Sequence, residues 1–233
     1  MRGGELTDFL DGLHQVARDG GDLSAAGAAD AARLLHLDAL TLSLYSARGV
    51  LELLWADRAD PLGTALEDVQ YTLGEGPTLD AARDGCLVTE TDLSAAPADR
   101  WPLFTSAACR TPARSVIAIP LFLGLATVGV LTGYRTTPGP FPVGQRQDLA
   151  RFAGTALDLL LRTPPQSLAS GTDGPALHRA TVHQAAGILS VHLGMTINES
   201  LLRMRAHAWR HDLPLLHVAH DITTGHLHFD PED

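Results

Sequence analysis

The chain has 233 residues, 45% of them hydrophobic and 19% charged, an ordinary composition for a globular protein with a buried core. Its net charge is −10, and its 17 basic residues are all arginine because the sequence contains no lysine. The longest apolar run, Val116 to Leu125, is broken by Pro120 and Gly124 and is too short to span a membrane. The N-terminus lacks the apolar core of a signal peptide, so we expect a cytoplasmic protein without a membrane segment.

The two cysteines, Cys86 and Cys109, are too few for a disulfide framework or a zinc knuckle. We interpret each as a small hydrophobic residue in the core, and a redox pair is the alternative. The sequence offers no nucleophile–base constellation. We therefore predict that the chain is not an enzyme.

The first two thirds of the chain combine helical and strand periodicities. Leucines that alternate with Thr41 and Ser43 predict the first strand of a hairpin, and Pro77 suits the first turn of a helix. In chain order, the predicted elements are helices over 6–17 and 24–35, strands over 39–45 and 50–56, a helix over 77–83, a strand over 86–89, a helix over 101–109, strands over 115–123 and 126–134, and a helix over 143–162. Residues 57–72 receive no element. Helices that bracket an antiparallel sheet define an α+β domain.

Residues 163–176 form a predicted linker. Prolines, glycines and hydroxyl residues dominate it and offer nothing to bury, and Pro164-Pro165 stops the preceding helix. The sequence thus divides into a domain over 1–162, a smaller helical domain over 177–229 and an acidic tail over 230–233.

Several short motifs follow one another in the first domain. They are Leu73-Gly74-Glu75-Gly76-Pro77, Asp92-Leu93, Arg100-Trp101-Pro102-Leu103-Phe104, Arg114-Ser115-Val116-Ile117-Ala118-Ile119-Pro120-Leu121 and Gly129-Val130-Leu131. On these motifs, residues 25–162 resemble a GAF domain, of the bacterial type that precedes an RNA-binding module. The resemblance implies a sensory domain with an antiparallel sheet, helices on one side and often a small-molecule pocket on the other. An empty dimerisation scaffold is the alternative.

The resemblance leaves the ligand unidentified. The cyclic-nucleotide type of GAF domain carries an Asn-Lys-Phe-Asp-Glu signature, which a chain without lysine cannot contain. The bilin type attaches its pigment to a cysteine that is usually followed by histidine, whereas leucine follows Cys86 and arginine follows Cys109. We interpret His14 and His36 as surface or core histidines rather than haem ligands, and we predict no cofactor.

Trp101 and Phe104 are spaced i, i+3. We interpret them as core residues rather than as the wall of a ligand pocket.

The last quarter of the chain contains three helical patterns. The first, over 177–192, is closed by Gly194 as a left-handed cap; Thr196 and Glu199 form a capping box for the second, which ends near Arg210. A short third helix begins near Pro214. The 100° step of the first helix places on one apolar face Val182, Ala185, Ala186, Leu189 and Leu193.

This segment contains a set of recognisable sequence motifs. They are Arg179, Gln184-Ala185, Gly187-Ile188-Leu189, Gly194-Met195-Thr196, Leu201, Met204-Arg205, Ala208 and Val218-Ala219. On these residues the segment resembles an ANTAR domain, the three-helix RNA-binding element of bacterial transcription antiterminators. The family commonly has lysine where this chain has Ala186, and alanine where it has Ser200. One positive charge fewer is expected to weaken RNA binding and flatten its salt dependence.

The resemblance implies an RNA-binding surface on the first two of these helices. Arg179, His183 and Ser190 lie within about 60° of Ala186 around the first helix and form its predicted polar flank. The predicted RNA-binding residues are Arg179, His183, Gln184, Gly187, Ser190, Arg203, Arg205 and Arg210. The alternative for the second helix is a solvated face with one weak ion pair between Glu199 and Arg203.

Two further features of this segment invite a function. His207 and His211 are spaced i, i+4, which metal sites use, but no cysteine accompanies them, so we predict no metal and expect solvated or RNA-facing imidazoles. Leu202 and Trp209 align on one side of the second helix, where an interface is favoured over a platform for stacking bases.

Two functions of different classes follow from these patterns. The first is a signal-responsive transcription antitermination regulator, a homodimer that binds stem-loop leader RNA through its C-terminal module and an unidentified small molecule through its GAF-like domain. The second is a GAF-based sensor or dimerisation protein whose RNA-binding surface is degenerate; Ala186 and a net charge of only +1 between residues 178 and 229 favour it. DNA binding by a helix-turn-helix is disfavoured because no single helix carries many basic residues.

Overall fold

The computed structural model describes residues 2–45, 50–57, 59–97, 99–162, 175–211 and 213–229. They fall into two compact units, one of Met1–Tyr71 with Glu75–Ser170 and one of Thr72–Gly74 with Gly171–Asp233. Most of the predicted linker and the whole acidic tail lie outside the described residues. In the described part of the chain, no helix is long and apolar enough to cross a membrane.

The first unit is built on a five-stranded antiparallel sheet with the strand order β2-β1-β5-β4-β3. Its strands are β1 (Ala39–Tyr45), β2 (Leu51–Ala56), β3 (Val88–Glu90), β4 (Ser115–Leu123) and β5 (Ala126–Arg135). β4 and β5 form a long hairpin that turns at Gly124, where φ is 64°, a conformation that glycine adopts without a steric penalty. The antiparallel sheet expected from the sequence is confirmed.

One face of the sheet carries the apolar core of this unit. Leu40 and Leu42 of β1 point to this face and pack with residues of three helices, α1 (Arg2–Arg18), α2 (Ala28–Leu34) and α6 (Val143–Arg162). Phe152 of α6 lies at the centre of this packing, with ring centroids 6.4 Å from Phe9 and 5.8 Å from Trp55. The helical periodicities of the two ends of this domain thus correspond to one shared core.

Two helices lie on the opposite face and bury its polar residues. α4 (Pro77–Asp84) packs on β3, β4 and β5, and α3 (Leu62–Leu73) is joined to β1 and β5 by hydrogen bonds of Glu67. Thr41 and Ser43, which alternate with the leucines of β1, are therefore buried as well. α3 was not predicted from the sequence, although Asp60 marks its start by accepting the backbone N–H of Leu62 at 2.9 Å. Helices consequently cover both faces of the sheet, whereas the resemblance to a GAF domain implied helices on one face only.

Both cysteines are exposed, so the prediction that they are core residues was wrong. Cys86 follows Gly85, the left-handed cap of α4, and precedes β3, which begins at Val88. Cys109 caps the C-terminus of the short helix α5 (Pro102–Ala108). Each therefore sits just past a helix end, where the chain runs over the surface.

The described part of the second unit contains three helices, α7 (Pro175–Leu193), α8 (Ile197–Arg210) and α9 (Leu215–Thr223), and α7 packs against both others. Gly194 has the left-handed φ of 65° that was predicted. The predicted capping box is also present, because Thr196 accepts the N–H of Glu199 while the Glu199 carboxylate accepts that of Thr196. The core of this unit contains Val182, Ala185, Ala186, Leu189, Leu201, Met204, Ala208, Leu215, Val218, Ala219 and Ile222.

Candidate functional site

A buried hydrogen-bond network fills the space between the sheet and the two helices α3 and α4. Its centre is the Oε1 atom of Glu67, which accepts hydrogen bonds from the hydroxyls of Thr41 at 2.9 Å, Thr78 at 3.0 Å and Tyr134 at 2.8 Å. The members of the network, each at most 4% exposed, are Thr41, Glu67, Gln70, Thr78, Thr132 and Tyr134. Three converging hydroxyl donors suit an acceptor-only carboxylate.

Gln70 completes the network from the next turn of α3. Its Nε2 donates to the hydroxyls of Tyr134 at 2.8 Å and Thr78 at 2.9 Å, and its Oε1 accepts the backbone N–H of Thr78 at 2.8 Å. Each of these hydroxyls thus accepts from Gln70 and donates to Glu67. Such a mutually satisfied network fixes α3 and the start of α4 against the sheet.

The network changes the chemistry of Tyr134. Burial, reinforced by the negative charge of Glu67 and by the hydrogen bond to it, raises the pKa of Tyr134 well above its ordinary value. The phenol is therefore held in its neutral form, in which it can donate to the carboxylate.

In the motif Leu73-Gly74-Glu75-Gly76-Pro77, Glu75 and Gly76 have structural roles within the first unit. Oε1 of Glu75 accepts the backbone N–H groups of Leu103 and Phe104, each at 2.7 Å, and so caps the N-terminus of α5. Gly76 adopts φ 135° at the N-cap of α4, and a Cβ there would lie 2.4 Å from Oε1 of Gln70. The motif thus joins two helix starts to the buried network.

The aromatic pair predicted to lie in the core does so. Trp101 and Phe104 are 1% and 0% exposed, and their rings meet edge to face with centroids 6.0 Å apart. The Trp101 indole N–H donates to Oδ2 of Asp80 at 2.8 Å. His36 is exposed, and half-buried His14 lies on α1 with Nε2 3.4 Å from the hydroxyl of Thr155.

The second unit contains a cleft of about 140 Å³ whose lining is cationic and aromatic. The residues that border it are Arg203, His207, Arg210, His211, His228 and Phe229. Glu199, one turn before Arg203, belongs to the capping box: its Oε2 accepts the N–H and the hydroxyl of Thr196 at 2.7 and 2.8 Å, and these two bonds lower the pKa of Glu199. We refer to the cleft that Arg203, His207, Arg210, His211, His228 and Phe229 border as the cationic cleft.

Ring contacts order the floor of the cationic cleft. The His207 ring lies 4.3 Å from that of His211 and 5.1 Å from that of Phe229, measured between centroids. Phe229 is only 9% exposed, so it anchors the end of the described chain against α8. Among the described residues, no group of three or more His, Cys, Asp or Glu side chains is arranged to hold a metal ion.

The predicted RNA-binding residues are distributed over several environments. Gln184 and Arg210 are exposed, whereas Gly187, Ser190, Arg203 and Arg205 are half-buried. The hydroxyl of Ser190 donates to the carbonyl of Met195 at 2.6 Å and so ties the end of α7 to the following turn. The side chain of Arg179 lies outside the described residues.

One expectation about the polar flank of α7 was wrong, since His183 is 7% exposed and lies in the core of the second unit. Ala186 is fully buried, which agrees with its place on the predicted apolar face. The apolar face predicted from the helical periodicity assumes that α7 packs against one neighbour. In the structure α7 packs against both α8 and α9, so a larger part of its circumference is buried. Ala186 is therefore a packing residue, and its position has no room for a surface lysine.

The sequence matches no family profile and no curated protein. Similar solved structures include GAF3 from a Synechocystis protein in its photoproduct state (16% identity, TM-score 0.45, covering 69% of this chain and 99% of that one). A GAF domain of an Acinetobacter phosphoenolpyruvate-protein phosphotransferase is also similar (16% identity, TM-score 0.47, covering 67% of this chain and 94% of that one). So is a free methionine-R-sulfoxide reductase from Neisseria meningitidis in complex with its substrate (22% identity, TM-score 0.43, covering 67% of this chain and 87% of that one). Likeness at this level concerns the fold and carries no functional residue across.

Proposed function

We propose that this protein is a signal-responsive RNA-binding regulator of transcription antitermination. In this proposal the first unit is a GAF-like sensor, and the three-helix unit is an ANTAR-like module that holds stem-loop leader RNA. The GAF-like part is supported by the order of its sequence motifs and by the antiparallel sheet they build. The RNA-binding part is supported by the sequence motifs of α7 to α9, which resemble those of an ANTAR domain.

The observation that carries the proposal is the cationic cleft. Arg203 and Arg210 border it on the same side of α8, and three histidines line it with them. The bulk charge of the unit is small, so a concentrated local field has to supply the attraction for phosphates. Arginine is the residue best suited to this contact because its planar donors match phosphate oxygens.

The test is selection of binding sequences from a pool of stem-loop RNAs, followed by affinity measurements from 50 to 300 mM salt. Neutralising one phosphate contact should weaken binding and reduce the slope of log affinity against log salt by about one unit. We expect this result for Arg205→Ala and Arg210→Ala. The control is Arg162→Gln, at the end of α6 in the first unit, where the guanidinium pairs with Asp158 at 3.2 Å. Failure of the wild-type chain to retard any stem-loop at low salt would refute the proposal.

A second candidate is a sensor or dimerisation protein without RNA binding. The observation that favours it is the apolar surface of α8, where Leu202 and Trp209 are 65% and 71% exposed. Exposed large aromatic residues of this kind commonly serve as anchors in protein interfaces. Sedimentation equilibrium of wild-type protein and of Leu202→Gln and Trp209→Gln decides: a dimer that both substitutions dissociate, with no retention of RNA, supports this candidate.

A further inference from the structure

The cationic cleft has the composition of a phosphate site. Its described lining holds two arginines, three histidines and one phenylalanine. Guanidinium groups present planar donors that match phosphate oxygens, and imidazole rings add further N–H donors. The volume of about 140 Å³ is several times the roughly 30 Å³ of one water molecule. It accommodates a phosphorus atom with its oxygens.

The spacing of the arginines suits one anion between them. Arg203 and Arg210 are two turns apart, or roughly 10 Å along the helix axis, and His207 lies on the intervening turn. Two long side chains can close this distance from opposite ends onto a single group above the imidazole. Both arginines border the same cleft.

A separate segment of the chain builds the opposite wall. After α9 ends, Gly225 adopts a left-handed φ of 75°, and the N–H groups of His226 and Leu227 both donate to the carbonyl of Asp221, at 2.8 and 3.1 Å. This reversal brings His228 into the cleft lining and Phe229 against the ring of His207. Two parts of the second unit thus contribute to one cleft.

We propose that the cationic cleft binds a phosphate group. This inference deepens the proposed RNA-binding function, on which it rests only for the natural source of the group. A phosphodiester of an RNA backbone and a free phosphate ester present the same oxygens to the arginines.

The experiment is a titration of the full chain with inorganic phosphate, followed through the histidine ring signals in proton–carbon NMR spectra at constant ionic strength. Signals of His207, His211 and His228 are assigned by single substitutions to glutamine. We expect these three to shift saturably, and Arg203→Gln and Arg210→Gln each to weaken the affinity about tenfold, the loss of one charge-assisted hydrogen bond. Arg162→Gln should leave the affinity unchanged. Arg203→Lys, which keeps the charge but loses the planar fork, should give a smaller loss.

Absence of saturable shifts, or equal affinities of Arg203→Gln and Arg162→Gln, would overturn the inference. Further arms with a nucleoside monophosphate and with the selected stem-loop RNA identify the source of the phosphate. Binding of phosphate without binding of any RNA would leave the cleft assigned and refute the proposed function. RNA affinity that is unchanged in both Arg203→Gln and Arg210→Gln would refute the cleft as the site of an RNA phosphate and leave the proposed function standing.

Discussion

The phenolic hydroxyl of Tyr134 donates a 2.8 Å hydrogen bond to Oε1 of Glu67, and both side chains are shut off from solvent. A carboxylate in such a place is costly unless donors converge on it, and here the hydroxyls of Thr41 and Thr78 join Tyr134. One bond thus links α3, a helix that the periodicities did not predict, to the middle of the sheet. The same bond makes the network testable.

Removal of the Tyr134 hydroxyl should destabilise the first unit. Tyr134→Phe keeps the ring but withdraws one donor from Glu67 and one acceptor from the amide of Gln70. We expect the free energy of unfolding to fall by about 1–3 kcal/mol, the cost of leaving buried polar groups unsatisfied. Urea denaturation measures it. A matched control is Tyr45→Phe, at an exposed ring on β1, which should change stability little.

The pH dependence of stability follows from the same residue. Because the folded pKa of Tyr134 is raised above the unfolded value, its contribution is fully present below about pH 10 and is lost as the pH rises from there toward the folded pKa. Wild-type protein should therefore lose stability in this alkaline range more steeply than Tyr134→Phe. Parallel curves for the two proteins would contradict the burial of a neutral phenol.

Gly76→Ala should be among the most damaging small substitutions in the first unit. The new methyl would lie 2.4 Å from Oε1 of Gln70, and φ 135° is accessible to glycine almost alone. Gly139→Ala separates the two causes, because Gly139 has φ 138° with nothing within 4 Å of the added Cβ. We expect the melting temperature to fall in both variants and clearly further in Gly76→Ala. Equal losses would mean that Gln70 yields without cost.

Ala186→Lys should destabilise the second unit instead of restoring RNA binding. Ala186 is fully buried, so a lysine there must desolvate its ammonium or push α8 and α9 away. We expect a loss of about 3 kcal/mol or more in thermal unfolding. Ala180→Lys makes the same change at an exposed position of α7 and should be nearly neutral. A stable Ala186→Lys protein with tighter RNA binding would show that this position faces solvent.

Both thiols should react in the folded protein. Cys86 and Cys109 are exposed, so Ellman's reagent should modify two thiols per chain rapidly without denaturant. Cys86→Ser and Cys109→Ser should each remove one of them. Thiols that react only after addition of urea would restore the interpretation as core residues.

Much of the local structure was predictable because its signals lie within a few residues of each other. The β4–β5 hairpin, the helix Val143–Arg162 and the Thr196–Glu199 capping box are all set by periodicity, turn glycines and short side chains near the backbone. These features depend on neighbours in the chain, so the sequence alone determined them.

Burial of particular side chains depended on partners distant in sequence, and only the tertiary structure decided it. In the sequence Glu67 has no feature that marks it as buried. In the structure the hydroxyls of Thr41 and Tyr134 donate hydrogen bonds to it. His183, predicted to lie on a polar flank, is buried in a unit where α7 packs against both α8 and α9. The cationic cleft exists because the chain reverses after α9 and returns Phe229 to α8. Periodicity identifies the faces of an element, whereas the number of faces that are covered is fixed by packing.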